Sequence, residues 1–192
     1  KMLDAVEDEL LDISGSAQDP SGELNITLPA VLSQSALSDA IAGFMVTYPR
    51  IKLSIDYSDV RKELIGDGYD LAVRLQTNAQ NSFSTQRLFT VERRLVASSK
   101  YLESKSGFTT PQDLQNWDWL ALSPVHSRGI QFQHSEQQTQ KVKPNARVFS
   151  NDANALYRLV SKGLGIAVLP QFLSEQSIKD GDFEYVLPDW KL

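Results

Sequence analysis

Cysteine is absent, histidine occurs twice, and no uninterrupted apolar stretch comes near the length of a membrane-spanning helix. Without thiols the chain has no disulfides, thiolate metal ligands or cysteine nucleophile. Without an apolar run of roughly 20 residues, no transmembrane helix is predicted. Positive charge is also scarce: 19 Lys and Arg stand against 24 Asp and Glu, a net charge of −5. The densest basic spot is the pair Arg93-Arg94, far short of the clustered cations that release counterions from phosphates. Asp4, Glu7, Asp8 and Glu9 sit where a signal peptide carries its cationic start and apolar core. No export signal is read there, and a cytoplasmic location is expected.

What the chain does have is an α/β rhythm. Its 192 residues, 41% hydrophobic and 22% charged, suit one large or two small globular units with real cores. Leu3, Val6, Leu10 and Ile13 follow 3-4-3 spacing, which predicts a helix over residues 1–14. That seam is either a short coiled-coil stripe or a surface helix packed on a domain. Residues 15–21 are a linker by composition. Leu24, Ile26 and Leu28 then alternate as a strand that stops at Pro29. Ala36, Leu37, Ala40, Ile41, Phe44 and Met45 mark an amphipathic helix ended by Tyr48-Pro49, and Ile51, Leu53, Ile55 and Tyr57 a second strand. A short helix over 60–65 leads to a third strand over 69–75. Strand, crossover helix, strand, repeated, implies a parallel sheet. After a polar loop over 76–85, a second α/β unit is expected near residue 95. Its predicted parts are β structure over 88–98, a helix near Lys100, a helix start at Pro111, a strand over 119–122 and a hairpin over 130–148. A helix over 152–162, a buried strand over 166–169, a helix over 171–177 and a strand over 183–187 complete it.

Catalytic signatures are missing: there is no G-x-S-x-G elbow, no S-x-x-K and no Walker loop. His126 and His134, eight residues apart in polar stretches, have no metal-type spacing and read as surface residues. Gly163-Leu164-Gly165 joins a helix to a strand, the reverse of the dinucleotide fingerprint, so Gly163 reads as a helix C-cap. No catalytic residue, metal site or cofactor is predicted.

Ligands of open parallel α/β sheets sit beyond the carboxyl ends of the strands, where helix N-termini offer free N–H groups. Three corners of this kind are readable. One runs from Leu28 to Ser35, with Ser33 or Ser35 as N-cap; a second is Ser150-Asn151-Asp152. The third is Arg74 at the end of a strand, able to pair with a carboxylate or simply to snorkel to solvent. Ser33 and Asp152 are either caps or ligand contacts, and Ser98 and Ser99 either ligand contacts or turn residues.

Four strings taken in order carry a resemblance. Gly22-Glu23-Leu24 resembles an entry into a first strand, and Asp70-Leu71-Ala72-Val73-Arg74 resembles "D-L-A-I-R". Leu95-Val96-Ala97-Ser98-Ser99-Lys100-Tyr101-Leu102 resembles "L-V-A-S-P-x-Y-L", and residues 163–170 resemble "G-L-G-I-A-x-L-P". Residues 181–188 add a "G-x-L-x-x-V-L-P" strand. Together they resemble the effector-binding domain of the LysR-type transcriptional regulators. The resemblance implies an α/β, periplasmic-binding-protein-like fold of two Rossmann-like subdomains joined by two crossover strands. Subdomain I would span 22–94 and subdomain II 95–188, with a return crossover starting over 189–192 and residues 1–14 as linker helix. It implies an unidentified small-molecule effector in the cleft between subdomains, a homo-dimer or tetramer, and DNA contact only through a helix-turn-helix domain outside these residues. The implied ligand-binding residues are Ala30, Val31, Leu32, Ser33, Arg74, Ser98, Ser150, Asn151 and Pro170. Ala30-Val31-Leu32 stand where relatives carry Ser-Phe, so a hydroxyl there would come from Ser33 or Ser35. A solute-binding transport receptor is the alternative on the same fold.

Because the chain is acidic and has no basic stripe, it should give no salt-sensitive complex with any DNA duplex. Mobility shifts at low salt and low-micromolar protein check this; a retarded band would overturn it.

Overall fold

A computed structural model describes residues 20–60, 66–75, 85–122, 129–135 and 138–192. The predicted helix over 1–14, most of the linker, residues 61–65 of the short helix, most of the polar loop and His126 lie outside the described residues. The chain divides into two compact units, residues 1–77 and 78–192.

The first unit holds β1 (Gly22–Leu28), a 3₁₀ turn (Ala30–Gln34), α1 (Ala36–Thr47), β2 (Ile51–Tyr57) and β3 (Leu71–Ala72). Its sheet has the order β2-β1-β3 and is parallel, with Gly22 opposite Ile51 through to Leu28 opposite Tyr57. Parallel neighbours need a crossover, and α1 provides it. Ser35 starts that helix by accepting the Leu37 N–H at 3.3 Å. Ile26, Leu28, Val31 and Leu32 are buried, whereas α1 buries no residue at all. The third strand is shorter than the predicted 69–75. Asp70 turns its carboxylate onto the Asn25 N–H at 2.8 Å, so a side chain takes a bond that a ladder carbonyl would otherwise accept. Val73 N–H still reaches the Thr27 carbonyl at 2.9 Å.

The second unit begins with β4 (Arg93–Ser98), α2 (Ser99–Leu102), a 3₁₀ turn (Pro111–Leu114) and β5 (Trp119–Leu122). There follow β6 (Ile130–Ser135), β7 (Gln138–Val142), β8 (Ala146–Ser150), α3 (Ala153–Ser161), β9 (Ile166–Pro170), α4 (Gln171–Lys179) and β10 (Phe183–Tyr185). The main sheet runs β10-β4-β9-β5-β8, while β6 and β7 form a separate antiparallel hairpin. β5, β8 and β9 are parallel to one another; β4 runs against β9. Alternating residues feed two cores. Leu95, Ala97, Trp119, Ile166 and Val168 face Leu114, Phe132 and Trp190, whereas Val96, Leu120, Ala167 and Leu169 face Leu156, Val160 and Phe183. Covered on both faces, β9 is buried along its whole length, which is why it reads as an unbroken apolar run. Each such aliphatic side chain contributes about 1.5–3 kcal/mol when fully buried.

Three boundaries differ from expectation. β4 starts at Arg93 rather than 88, because exposed residues 85–90 have no strand partner. The hairpin closes at Val142: Pro144 cannot donate to a ladder, and the chain beyond it joins β5 as β8. β10 stops at Tyr185, two residues before Leu187 takes φ of 55°. The 3₁₀ turn at Pro111 has a capping box, and the Thr109 and Thr110 N–H groups hold the Asp113 carboxyl below its usual range.

The Gly-Leu-Gly string does two separate jobs. Gly163, at φ of +72°, ends α3: its N–H bonds Val160 O at 2.9 Å and the Leu164 N–H bonds Leu159 O at 3.3 Å. Gly165, at φ of +152°, brings the backbone against Asp118, whose carbonyl accepts the Ile166 N–H at 2.9 Å. A Cβ on Gly165 would lie 1.9 Å from that carbonyl oxygen. Gly165→Ala should therefore destabilise the chain by about 3 kcal/mol, the upper range for overpacking. Gly43→Ala, in the exposed interior of α1 with nothing within 4 Å of the new methyl, should stabilise it by about 0.5–1 kcal/mol. Urea unfolding of the two variants checks both signs.

Candidate functional site

In the first unit the parallel strands β1 and β3 end at one edge, and the predicted residues of this unit gather there. Pro29 ends β1, and the chain turns at once into the 3₁₀ turn. Val31 and Leu32 are buried, so they anchor the turn instead of presenting side chains. Ser33 Oγ donates to Ala30 O at 2.8 Å, and Ser35, not Ser33, caps α1. The Ala30 N–H donates to the Asp59 carboxylate at 3.3 Å. Arg74 meets no carboxylate among the described residues. Its Nη1 donates to Val73 O at 2.9 Å and Thr27 O at 3.3 Å, and both terminal nitrogens lie 3.4 Å from Thr27 Oγ1. Thr27 is fully buried, so its hydroxyl gives the guanidinium a fixed partner at the end of the strand.

In the second unit β5, β8 and β9 run parallel, so Leu122, Ser150 and Pro170 leave the sheet at one end. Ser150 Oγ accepts the Asp152 N–H at 3.1 Å and Asp152 caps α3 through Asn154 N–H at 2.9 Å. Asn151 is exposed on the bend between them. Pro170 is buried and fixes the start of α4. Beside it, Arg94 bonds Glu92 at 3.1 Å and Gln171 at 3.3 Å and lies over the Tyr185 ring at 5.8 Å. The Asn154 Oδ1 is buried without a partner, and Phe149, next to Ser150, is 62% exposed.

Ser98 lies apart from the other predicted site residues of this unit. Because β4 runs against β9, Ser98 comes out at the end of the sheet opposite Ser150, Asn151 and Pro170, paired with Phe183. It is 5% exposed and caps α2 by accepting the Tyr101 N–H at 3.3 Å. Ser99 lies there too, its hydroxyl on Gly181 O at 2.7 Å.

Sequence reading missed Thr27, Asp59 and the Arg94–Glu92–Gln171 cluster. Thr27 looked like any alternating strand residue, and nothing in the local pattern reports that Arg74, 47 positions on, folds back onto it. Among the described residues no group of three His, Cys, Asp or Glu could hold a metal ion, and no helix is long and apolar enough to cross a membrane. His134 lies exposed against Trp190 at 5.2 Å between ring centres. The two units therefore offer hydroxyls, backbone N–H groups and two held guanidiniums, Arg74 and Arg94, a set suited to binding.

Comparison with known proteins gives this arrangement its context. Residues 17–192 match the model of the LysR substrate binding domain. The HTH-type transcriptional regulator PtxR of Pseudomonas aeruginosa is 28% identical over the whole chain, which spans 62% of that protein. An HTH-type transcriptional regulator of Haemophilus influenzae is 28% identical over 98% of the chain and 65% of its own length. Full-length AphB, a virulence activator of Vibrio cholerae, superposes with a TM-score of 0.83 at 25% identity, over 99% of this chain and 65% of that one. CrgA of Neisseria meningitidis shares the fold, with a TM-score of 0.80 at 23% identity, over all of this chain and 64% of that one. The chain thus spans just under two thirds of each of these relatives. Its mixed α/β architecture, with one main sheet in each unit, is that of their regulatory domains, and the relatives are regulators, not enzymes. With 176 of its 192 residues inside the family model (17 to 192, counted inclusively), the chain belongs to the LysR substrate-binding-domain family.

Proposed function

We propose that this chain is the effector-sensing part of a LysR-type, DNA-binding transcriptional regulator working in the cytoplasm. The observation that carries the reading is the family match over residues 17–192. The geometry supports it: each unit has an edge where parallel strands end and turns begin, built from groups able to bind a polar ligand. The effector is a small molecule, polar or anionic, met by the strand-end edges described in each unit. Ala30 and Ser33 of the first turn, Arg74, and Ser150 and Asn151 before α3 are its contacts. Val31, Leu32 and Pro170 shape the turns beneath them. The transport-receptor alternative is disfavoured because the relatives named above are regulators.

A thermal-shift screen of metabolites on the intact regulator, followed by calorimetry, tests the sensing role. Arg74→Ala should weaken an anionic effector by about 1.5–3 kcal/mol, the range for a hydrogen bond to a charged group, and Arg74→Lys should recover only part of it. Unchanged affinity in Arg74→Ala would remove the guanidinium from the site.

Control would pass through a homo-dimer or tetramer carrying the DNA-binding heads. The support is α1, which buries none of its residues and leaves Val46 83% exposed on an apolar helix. Val46→Glu should leave chain stability within about 0.5 kcal/mol, as exposed substitutions do. In sedimentation of the intact regulator it should weaken self-association by about tenfold or more, since it buries an unpaired charge in the contact. Undiminished association would exclude α1 from the interface.

A further inference from the structure

The end of the second unit's sheet that received Ser98 has a pocket of its own. Its volume is about 320 Å³, at the lower end of small-molecule sites, and its wall includes Ser98, Lys100, Tyr157, Ser161, Ser177 and Asp182. It lies at the end of the sheet away from Ser150, Asn151 and Pro170, because β4 and β9 run in opposite directions.

The hydroxyls on this wall are not all satisfied. Ser98, 5% exposed, uses a lone pair to accept the Tyr101 N–H, which leaves its own O–H without an acceptor among the described residues. The Tyr157 hydroxyl and Ser177 Oγ are 2.8 Å apart, and only one proton can lie between them. Ser177 is 7% exposed and Tyr157 half-buried, so the second proton of this pair, on whichever oxygen it sits, points to the pocket wall without a partner in the pair. Buried donors without acceptors are rare because they cost stability, unless water or a ligand supplies the acceptor. Complementary acceptors stand beside them. Ser161 Oγ donates to Arg158 O at 2.8 Å and Ser99 Oγ to Gly181 O at 2.7 Å, and each keeps lone pairs for an incoming donor. Lys100 and Asp182 cancel in charge. The Tyr157 ring packs against Phe183, 5.3 Å between centres, giving the pocket an apolar floor.

Donors and acceptors set side by side, with no net charge, match vicinal hydroxyl groups, each of which gives one proton and accepts others. We propose that this pocket is a second ligand site, separate from the effector-binding edges, and that it takes a small uncharged polyhydroxy compound, a free sugar or polyol. A carboxylate alone would satisfy the spare donors but would meet Asp182 and leave the acceptors unused.

Amide chemical-shift titration of the 192-residue chain tests this with D-glucose and myo-inositol as probes, and sodium acetate and glycine as charged comparators. One of the polyhydroxy probes should give saturable shifts at Ser98, Ser99, Ser161 and Asp182, with Ser150 and Asn151 unmoved. Ser161→Trp, at an exposed helix position, should block the response without lowering the melting temperature. Tyr157→Phe should weaken binding by about three- to tenfold, the loss of one neutral hydrogen bond, and gives a reading even if the tryptophan variant folds poorly. Absence of saturable shifts with both polyhydroxy probes overturns the proposal, as do shifts confined to other surfaces. A response to acetate or glycine that the sugars do not share overturns the ligand class.

Discussion

The polarity of β9 governs the second unit. Buried at all five residues between β4 and β5, it pairs antiparallel with one and parallel with the other. Every loop then leaves the sheet at an end that this pairing dictates. Ser150 and Pro170 emerge at one end, Ser98 and Phe183 at the other. The strand cannot slide, because Gly165 at its start is pressed on the Asp118 carbonyl with no room for a side chain. Asp118 is held in turn by Tyr101, whose hydroxyl both donates to its carboxylate and accepts its N–H, each at 3.1 Å. Trp119 adds an indole bond to Leu114 O at 2.7 Å. A backbone contact thus fixes a strand, the strand fixes an end, and the end decides which side chains share a site.

The first unit uses a different device. Among the described residues its sheet has one strand with two neighbours, and α1 buries nothing, so the edge where β1 ends is tied by polar groups. Arg74 on Thr27 and Asp59 on Ala30 are two such ties, while Asp70 on Asn25 ties the other end of β3. Groups that would bind an effector are here already bonded to the chain itself. A ligand arriving at this edge would compete with those bonds, and its net affinity would reflect an exchange of partners more than a gain of new ones.

Most of the elements were legible because burial leaves a period in the sequence. The alternation of Leu24, Ile26 and Leu28 and the unbroken run of β9 each gave the right element at nearly the right place, and α1 was legible from its apolar stripe although it buries none of its residues. Errors fell where a partner and not a pattern decides an end: β3 shortened by the Asp70 side chain, and the hairpin cut at Val142 with its continuation given to β8. Of the site residues, those on turns after parallel strands went where strand order placed them. Ser98 did not, since an antiparallel strand among parallel ones has no signature in its own residues.

The sequence by itself determined the family, the α/β rhythm, the narrowing of the first helix cap to Ser33 or Ser35 and the absence of thiol chemistry. These depend on residue type and short-range spacing, which a chain carries whether folded or not. Only the tertiary structure decided which strand ends coincide, that Arg74 rests on Thr27, and that Ser98 joins Tyr157 and Ser177 in a pocket of its own. Each of these joins residues far apart in the chain, and long-range pairing is set by the packing of the whole sheet, not by any local preference.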